Sequence, residues 1–193
     1  MKGRIYVLTA ALLLCAGAAF GKEKAREDTG TWAVSTSLPH WALLGSANLS
    51  LHYMFGEHLA IKGGVRYNPW RFSARDGEEL WLRHFSPHIG IQYWQKSGFE
   101  GWYGAASLLY SEYNAAGIAR MGCIEGDFAG LEIGGGYNLP LSERFCLGLG
   151  AAAAAGLHKS VRYAAPVCGR ILGRETGCAA FISEITLSVY YKL

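Results

Sequence analysis

Apolar and polar residues alternate in short runs along most of this chain. In the stretch HLAIKGGVRYNPW (58–70), apolar residues take nearly every second position, and Lys62 and Arg66 stand between them. A period of two predicts a β-strand with one apolar face and one charged face. In a soluble β-sandwich the charged face meets water, whereas in an outer-membrane barrel the apolar face meets lipid and the charges line the lumen.

The same pattern predicts eight strands separated by turn signals. In the fourth strand the polar residues His84, Ser86 and His88 alternate cleanly with apolar residues such as Ile89 and Ile91. The fifth strand is ambiguous in phase, because both of its faces are half aromatic. The predicted strands are residues 32–38, 47–55, 58–70, 82–94, 102–113, 128–139, 145–157 and 180–193.

Short and long links alternate between these strands. The short links are 56–57, 95–101 and 140–144, and the long ones are 39–46, 68–81, 114–127 and 158–179. Short periplasmic turns and long external loops are typical of an outer-membrane barrel. No segment after residue 21 is long and apolar enough to span a membrane as a helix. The predicted fold is therefore all-β: an eight-stranded antiparallel up-and-down transmembrane β-barrel whose polar face points inward.

Two sets of side chains follow from this orientation. An eight-stranded barrel is just wide enough for side chains to fill it, so the inward polar residues should share one lumen network. That set is His52, Lys62, Arg66, His84, His88, Gln92, Glu132, Glu184 and Lys192. Aromatic residues near strand ends should form interfacial girdles. The predicted interfacial aromatics are Trp32, Trp70, Trp94, Trp102, Tyr137 and Tyr191.

The chain begins like an exported protein. Residues 1–21 combine two basic residues, an apolar run and a small-residue tail, which predicts a secretory signal peptide. A short extension (22–31) and the barrel domain (32–193) follow. The net charge is only +3 and no basic cluster occurs, which argues against nucleic-acid binding. The expected location is the outer membrane of a Gram-negative bacterium. The expected partners are its lipid, its lipopolysaccharide and the barrel insertion machinery, for which the terminal LSVYYKL resembles a substrate.

Several longer motifs resemble a known family. The stretches RYNPW, EYNAAGI, EGDFAGLEIGGGYNLPLSERFCL and APVCG are similar to those of the DUF3575 proteins, exported proteins of the Bacteroidetes. The similarity runs from about residue 32 to the C-terminus. It implies a small outer-membrane barrel, often encoded near OmpA-like and fimbrial envelope proteins, and it implies no known activity. In place of the family's CPxCG this chain has Ala165, so a local CxxC link is lost and Cys168 is left to pair with Cys178 or Cys123.

Spacing alone does not fix the cysteine pairing. Cys123, Cys146, Cys168 and Cys178 follow the signal peptide, and four cysteines allow three pairings. A disulfide between Cys168 and Cys178 would close the last long loop, where the entropy argument favours it. Cys123 is the main competitor, and Cys146 is expected to be free and to face inward.

One constellation suggests chemistry. His84, Ser86 and His88 share a strand face, a spacing that could place two imidazoles near a metal or a hydroxyl beside a base. The alternative function is therefore a lipid-modifying outer-membrane enzyme, and a second alternative is a soluble lipocalin-like barrel. No orienting carboxylate is placed by the sequence, and lumen histidines commonly only form hydrogen bonds. The favoured prediction is a structural or surface-interaction protein that has no catalysis, cofactor or metal and acts through loops 68–81 and 158–179.

Overall fold

The computed structural model describes residues 30–42, 45–73, 79–117, 123–164 and 169–193, which form one antiparallel sheet and one short helix. The predicted signal peptide and most of the 22–31 extension lie outside the described residues. The elements in chain order are β1 (Thr31–Ser37), α1 (Leu38–Ala42), β2 (Ala47–Phe55), β3 (Leu59–Asn68), β4 (Arg71–Ser73), β5 (Glu79–Lys96), β6 (Glu100–Ala116), β7 (Cys123–Pro140), β8 (Phe145–Tyr163) and β9 (Ile171–Lys192).

Eight of the strands close into a ring. Each strand pairs with its neighbours in the chain, the first strand β1 pairs with the last strand β9, and β3 pairs with β5 across the break occupied by β4. The three-residue strand β4 pairs only with the start of β5, so it continues the line of β3 beyond Pro69 and Trp70. The prediction of eight antiparallel strands in an all-β fold is confirmed at this level.

The strands are longer than predicted on one side of the ring. β5 to β9 have 17 to 22 residues, whereas β1 to β3 have 7 to 10. The predicted long loops 68–81, 114–127 and 158–179 are therefore too long, because strand pairing continues into each of them. Between β6 and β7 only residues 117–122 remain as a link, and between β8 and β9 only 164–170. The long strands rise above the rest of the sheet on the side of these two links.

Side chains alternate between the inside and the outside of the ring. On β5, Gln92 and Trp94 are buried inside, whereas Ile91 and Tyr93 are 57% and 59% exposed outside. The prediction of Trp94 as an interfacial aromatic was therefore wrong: it has the same phase as Gln92 and is 0% exposed. The ambiguous strand β6 also has a definite phase, with Ser107 buried inside and Leu108 63% exposed outside.

A bulge changes the phase within β9. The pairing with β8 shifts between Ala152 and Ala153, so that Glu184 and Ile182 become successive partners and Ser183 is the extra residue. An inserted residue reverses the faces that follow it. Strict alternation from Ile185 would place Phe181 on the outer face, but Phe181 packs edge to face on the inward Phe128 at a centroid distance of 5.0 Å.

An apolar cluster closes the ring at the end of the short turns. Trp94 and Phe99 pack edge to face at 5.4 Å, and Cys146 and Tyr190 complete a group that is almost fully buried. Phe99 reaches this position from the turn between β5 and β6, where it has a left-handed φ of 61°. Asn138 donates a side-chain hydrogen bond of 3.0 Å to the Phe99 carbonyl and holds the turn inward.

The helix α1 lies at the opposite end, in the link predicted as residues 39–46. Its Trp41 donates an indole hydrogen bond of 2.8 Å to the Thr36 hydroxyl of β1, which fixes the helix against the ring. Among the described residues, no helix is both long enough and apolar enough to cross a membrane.

Candidate functional site

The central group of charges inside the ring surrounds Arg66 of β3. Its Nη2 donates to Glu184 Oε2 of β9 at 2.7 Å and to Glu132 Oε2 of β7 at 3.1 Å. The three side chains are only 6%, 12% and 3% exposed. Buried charges lose their hydration, so such a group is stable only when opposite charges remain in contact. Arg66 thus connects one wall of the ring to the two strands that carry its carboxylates.

The helix α1 adds a further residue to this group. His40 Nε2 lies 3.6 Å from Glu184 Oε1, and the two side chains are 14% and 12% exposed. Sequence reasoning missed His40 because it stands in a link with no alternating pattern. The mostly apolar sequence LPHWA between two strands indicates that this link packs against the sheet, but it does not indicate where.

A second hydrogen-bonded set lies below the charges. His52 Nδ1 contacts the Gln92 side-chain oxygen at 2.9 Å, and its Nε2 contacts the Ser35 hydroxyl at 2.8 Å. A proton on Nδ1 satisfies both contacts, since the amide oxygen accepts and the hydroxyl then donates. His52, Lys62 and Glu184 line a cavity of about 30 Å³, which has room for one water molecule. The interior is therefore filled rather than open at this level.

The histidines of β5 form a third set near the α1 end. Ser86 lies 3.3 Å from His84 Nδ1 and 2.7 Å from the Ser111 hydroxyl, and His84 Nε2 lies 3.2 Å from Ser46. His88 Nε2 contacts the Ser50 hydroxyl at 3.2 Å, and its buried Nδ1 has no partner among the described residues. A hydroxyl beside an imidazole is present, but the second nitrogen of His84 meets a hydroxyl and not an orienting carboxylate.

Lys192 does not join the central charges. Its Nζ donates to Glu100 Oε1 at 2.6 Å, close to the apolar cluster at the short-turn end. Of the predicted lumen set, the structure thus brings together Arg66, Glu132 and Glu184, with Lys62 nearby. It places His84 and His88 toward the α1 end.

Four of the predicted interfacial aromatics lie on the outer face. Trp32, Trp102 and Tyr137 are 44%, 63% and 37% exposed, and Trp102 packs edge to face on Tyr137 at 5.2 Å. Tyr191 has the outward phase but is 7% exposed, because the Phe145 ring covers it at 5.0 Å.

Trp70 lies near the α1 end of the ring. It is half-buried, and its indole nitrogen donates to the Gly45 carbonyl at 3.1 Å. This contact ties the segment that follows β3 to the segment that precedes β2.

The predicted disulfide joins Cys168 and Cys178. Cys168 lies outside the described residues, and Cys178 is exposed on β9, so their pairing stays a prediction. Cys146 is buried inside the ring, on the side that its strand pattern predicted. Within the described ranges, no group of three or more His, Cys, Asp or Glu residues is arranged to hold a metal ion.

Comparison with known protein families shows to which family this chain belongs. The profile described as "Protein of unknown function (DUF3575)" matches residues 8–193, nearly the whole chain. The chain belongs to the DUF3575 family. The resemblance inferred from RYNPW and the EGD motif is thereby confirmed. No curated protein matches the chain. Because the DUF3575 description carries no activity, the function has to be argued from the geometry of this member.

Proposed function

We propose that this DUF3575 protein is a small outer-membrane β-barrel with a structural or surface-interaction role and no catalysis. The observation that carries the proposal is the outer face of the ring. Large apolar side chains there are strongly exposed, with Ile133 at 66%, Ile89 at 58% and Ile185 at 67%. Soluble monomers rarely expose a continuous apolar patch of more than a few hundred Å². A face with this composition is suited to contact with the hydrocarbon of a lipid bilayer.

The apolar residues form a band of suitable height. On β7 the outward residues run from Ala129 to Leu139, a distance of roughly 33 Å along the strand at about 3.3 Å per residue. With the usual tilt of about 40°, this corresponds to the band of roughly 25 Å that transmembrane barrels present to lipid. Trp102 and Tyr137 stand at one edge of the band and Tyr67 and Phe85 at the other. Among the described residues that face outward between these edges, none is charged.

The interior supports the same reading. Arg66, Glu132 and Glu184 are buried inside, and the short-turn end is closed by Trp94 and Phe99. This arrangement is polar inside and apolar outside, the reverse of a soluble lipocalin-type barrel, and it counts against that alternative. A filled interior also argues against a conducting pore, so any role in the envelope would depend on the surfaces beyond the membrane.

Cell fractionation combined with gel mobility tests this proposal. The full chain is expressed in a Gram-negative host, and its distribution between the soluble periplasm and the outer membrane is measured. We expect recovery in the outer membrane and a band that migrates differently with and without boiling. Recovery in the soluble periplasm with a single mobility would contradict the proposal and would favour the soluble alternative.

The enzymatic alternative has its own test. Ser86 and His84 are close enough for a hydroxyl activated by a base, but Ser86 is 6% exposed and its shortest contact is to Ser111. We expect Ser86→Ala and His88→Ala to leave the lipid A profile of the host unchanged, with Ser111→Ala as a matched control for lost packing. A changed profile in Ser86→Ala but not in Ser111→Ala would instead support catalysis.

A further inference from the structure

We propose that a groove on the outer face of the closed sheet binds the headgroup of a membrane lipid that carries both a phosphate and a primary ammonium, as phosphatidylethanolamine does. The proposal rests on the proposed function, because the groove faces lipid only if the ring spans a membrane. It assigns a ligand class to a surface outside the charge group of Arg66, with His84 as the one residue of the predicted lumen set that also lines the groove.

The groove lies where the long strands rise above the apolar band. Its volume is about 530 Å³, within the range of roughly 300–1,000 Å³ that small-molecule sites occupy. It extends across five strands from Tyr67 at the end of β3 to Lys159 and Val161 on β8. Tyr67 and Phe85 pack edge to face at 6.3 Å and are 48% and 44% exposed, so they form the edge of the groove next to the apolar band.

Strand register brings the charged residues of the groove together. In one row across the sheet, Phe85 pairs with Glu112, Glu112 with Asp127, and Asp127 with Lys159. In the adjacent row, Arg83 pairs with Asn114, and Asn114 with Glu125. Two cations and three carboxylates are thus placed on one surface that is only four strand spacings wide.

These charges do not neutralise one another. Within the described part of the chain, none of these five charged residues forms an ion pair. The buried Nε of Arg83 also has no hydrogen-bond partner there. Glu125 accepts hydrogen bonds from the neutral side chains of Asn114 and Tyr163, which leave its charge uncompensated. Charges of both signs that remain unpaired in one groove are complementary to a ligand that itself carries both signs.

The carboxylates show where the positive group of the ligand would bind. Glu112 and Asp127 are directly opposite each other, an arrangement of like charges that destabilises a sheet. The Tyr110 hydroxyl contacts both, at 3.1 Å from Glu112 and 3.3 Å from Asp127, and it has a single proton to donate. A primary ammonium has three protons and a positive charge, so it satisfies both carboxylates at once.

The two cations would bind the phosphate of the lipid, and the apolar band would contact its acyl chains. Arg83 and Lys159 offer charge-assisted hydrogen bonds to a phosphate. Below Tyr67 and Phe85 the outer face continues with Val65 and Ile89, along which acyl chains can lie. Phosphatidylglycerol lacks the ammonium, and phosphatidylcholine has the positive charge without any N–H donor. The groove should therefore prefer phosphatidylethanolamine to both.

Native mass spectrometry of the full chain in detergent micelles tests the preference. Phosphatidylethanolamine, phosphatidylcholine and phosphatidylglycerol with the same acyl chains are added in equal amounts, and lipid adducts are counted. We expect the ethanolamine lipid to bind about tenfold more tightly than the other two, since one hydrogen bond to a charged group accounts for a difference of that order. The double variant Glu112→Gln, Asp127→Asn should lose this preference, and Lys159→Gln should weaken the binding of all three lipids, because each of them carries a phosphate.

The controls separate the groove from the barrel itself. Lys96→Gln and Glu143→Gln remove one charge of each sign at the opposite end of the ring, and adduct formation should be unchanged in both. Equal binding of the three lipids, or a preference that survives in the double variant, overturns the proposal while the heat-modifiable band persists. Displacement of the lipid by free glycerophosphoethanolamine at equal concentration also overturns it, because the occupant would then be a soluble headgroup. Loss of both the lipid adducts and the heat-modifiable band overturns the proposed function instead.

Discussion

Arg66→Ala is expected to lower the free energy of unfolding by about 3–5 kcal/mol, more than any other single substitution in the lumen. The change removes the cation that contacts Glu132 at 3.1 Å and Glu184 at 2.7 Å. Two carboxylates that are almost completely buried then lose their shared cation, while Lys62 and His40 remain near Glu184. Urea titration of the protein refolded in phospholipid vesicles, followed by tryptophan fluorescence, measures the loss.

A compensated variant provides the control for this prediction. Arg66→Met with Glu132→Gln and Glu184→Gln removes all three charges and keeps most of the packing, so it should regain much of the stability. Buried ion groups can often be replaced by neutral residues at little cost, whereas removing one partner is costly. A loss below about 1 kcal/mol in Arg66→Ala would mean that water reaches the carboxylates, since surface substitutions have effects of that size.

Strand alternation allowed most of the lumen to be read from the sequence. His52, Arg66, Gln92 and Glu132 were placed inside because side chains on a strand change faces at every residue, and the structure has them buried. The same rule should have placed Trp94 inside, two residues after Gln92. For Trp94, position near a strand end and phase give opposite predictions. Phase is the stronger signal, since it depends on backbone geometry alone.

Other features had no local signal in the sequence. The bulge at Ser183 depends on how β9 fits against the Ala-rich strand β8, and the placement of Phe181 follows from it. The contact between His40 and Glu184 depends on where α1 docks. Both are set by tertiary packing, which overrides local pattern.

The strands are also longer than the sequence pattern predicts, and the outer groove depends on this extra length. The sequence predicts a loop over 114–127, because Gly117, Gly122 and Gly126 interrupt the alternation there. Pairing nevertheless continues to Ala116 and resumes at Cys123. Only this extension brings Glu112 and Asp127 into one row, so the groove could not be predicted before the register was known.

The outer face itself gives the second prediction of large effect. Ile133→Arg should destabilise the protein in phospholipid vesicles by about 2–4 kcal/mol, the cost of placing arginine near the middle of a bilayer. Ile133 is 66% exposed at the centre of the β7 outer face, where it packs beside Ala106 and Ala153 of the neighbouring strands. The measurement is again urea unfolding in vesicles, together with the amount of protein recovered in the outer membrane.

Leu172→Arg is the matched control. Leu172 is 59% exposed, close to Ile133 in this respect, but it lies at the start of β9 beyond the apolar band. An arginine there would meet water in either environment, so its effect should stay within about 0.5 kcal/mol. If both variants behave alike, the outer face is in contact with water and the exposed isoleucines need another partner. A large difference between them would locate the hydrocarbon at the level of Ile133, and the unpaired charges of the groove would then lie where lipid headgroups begin.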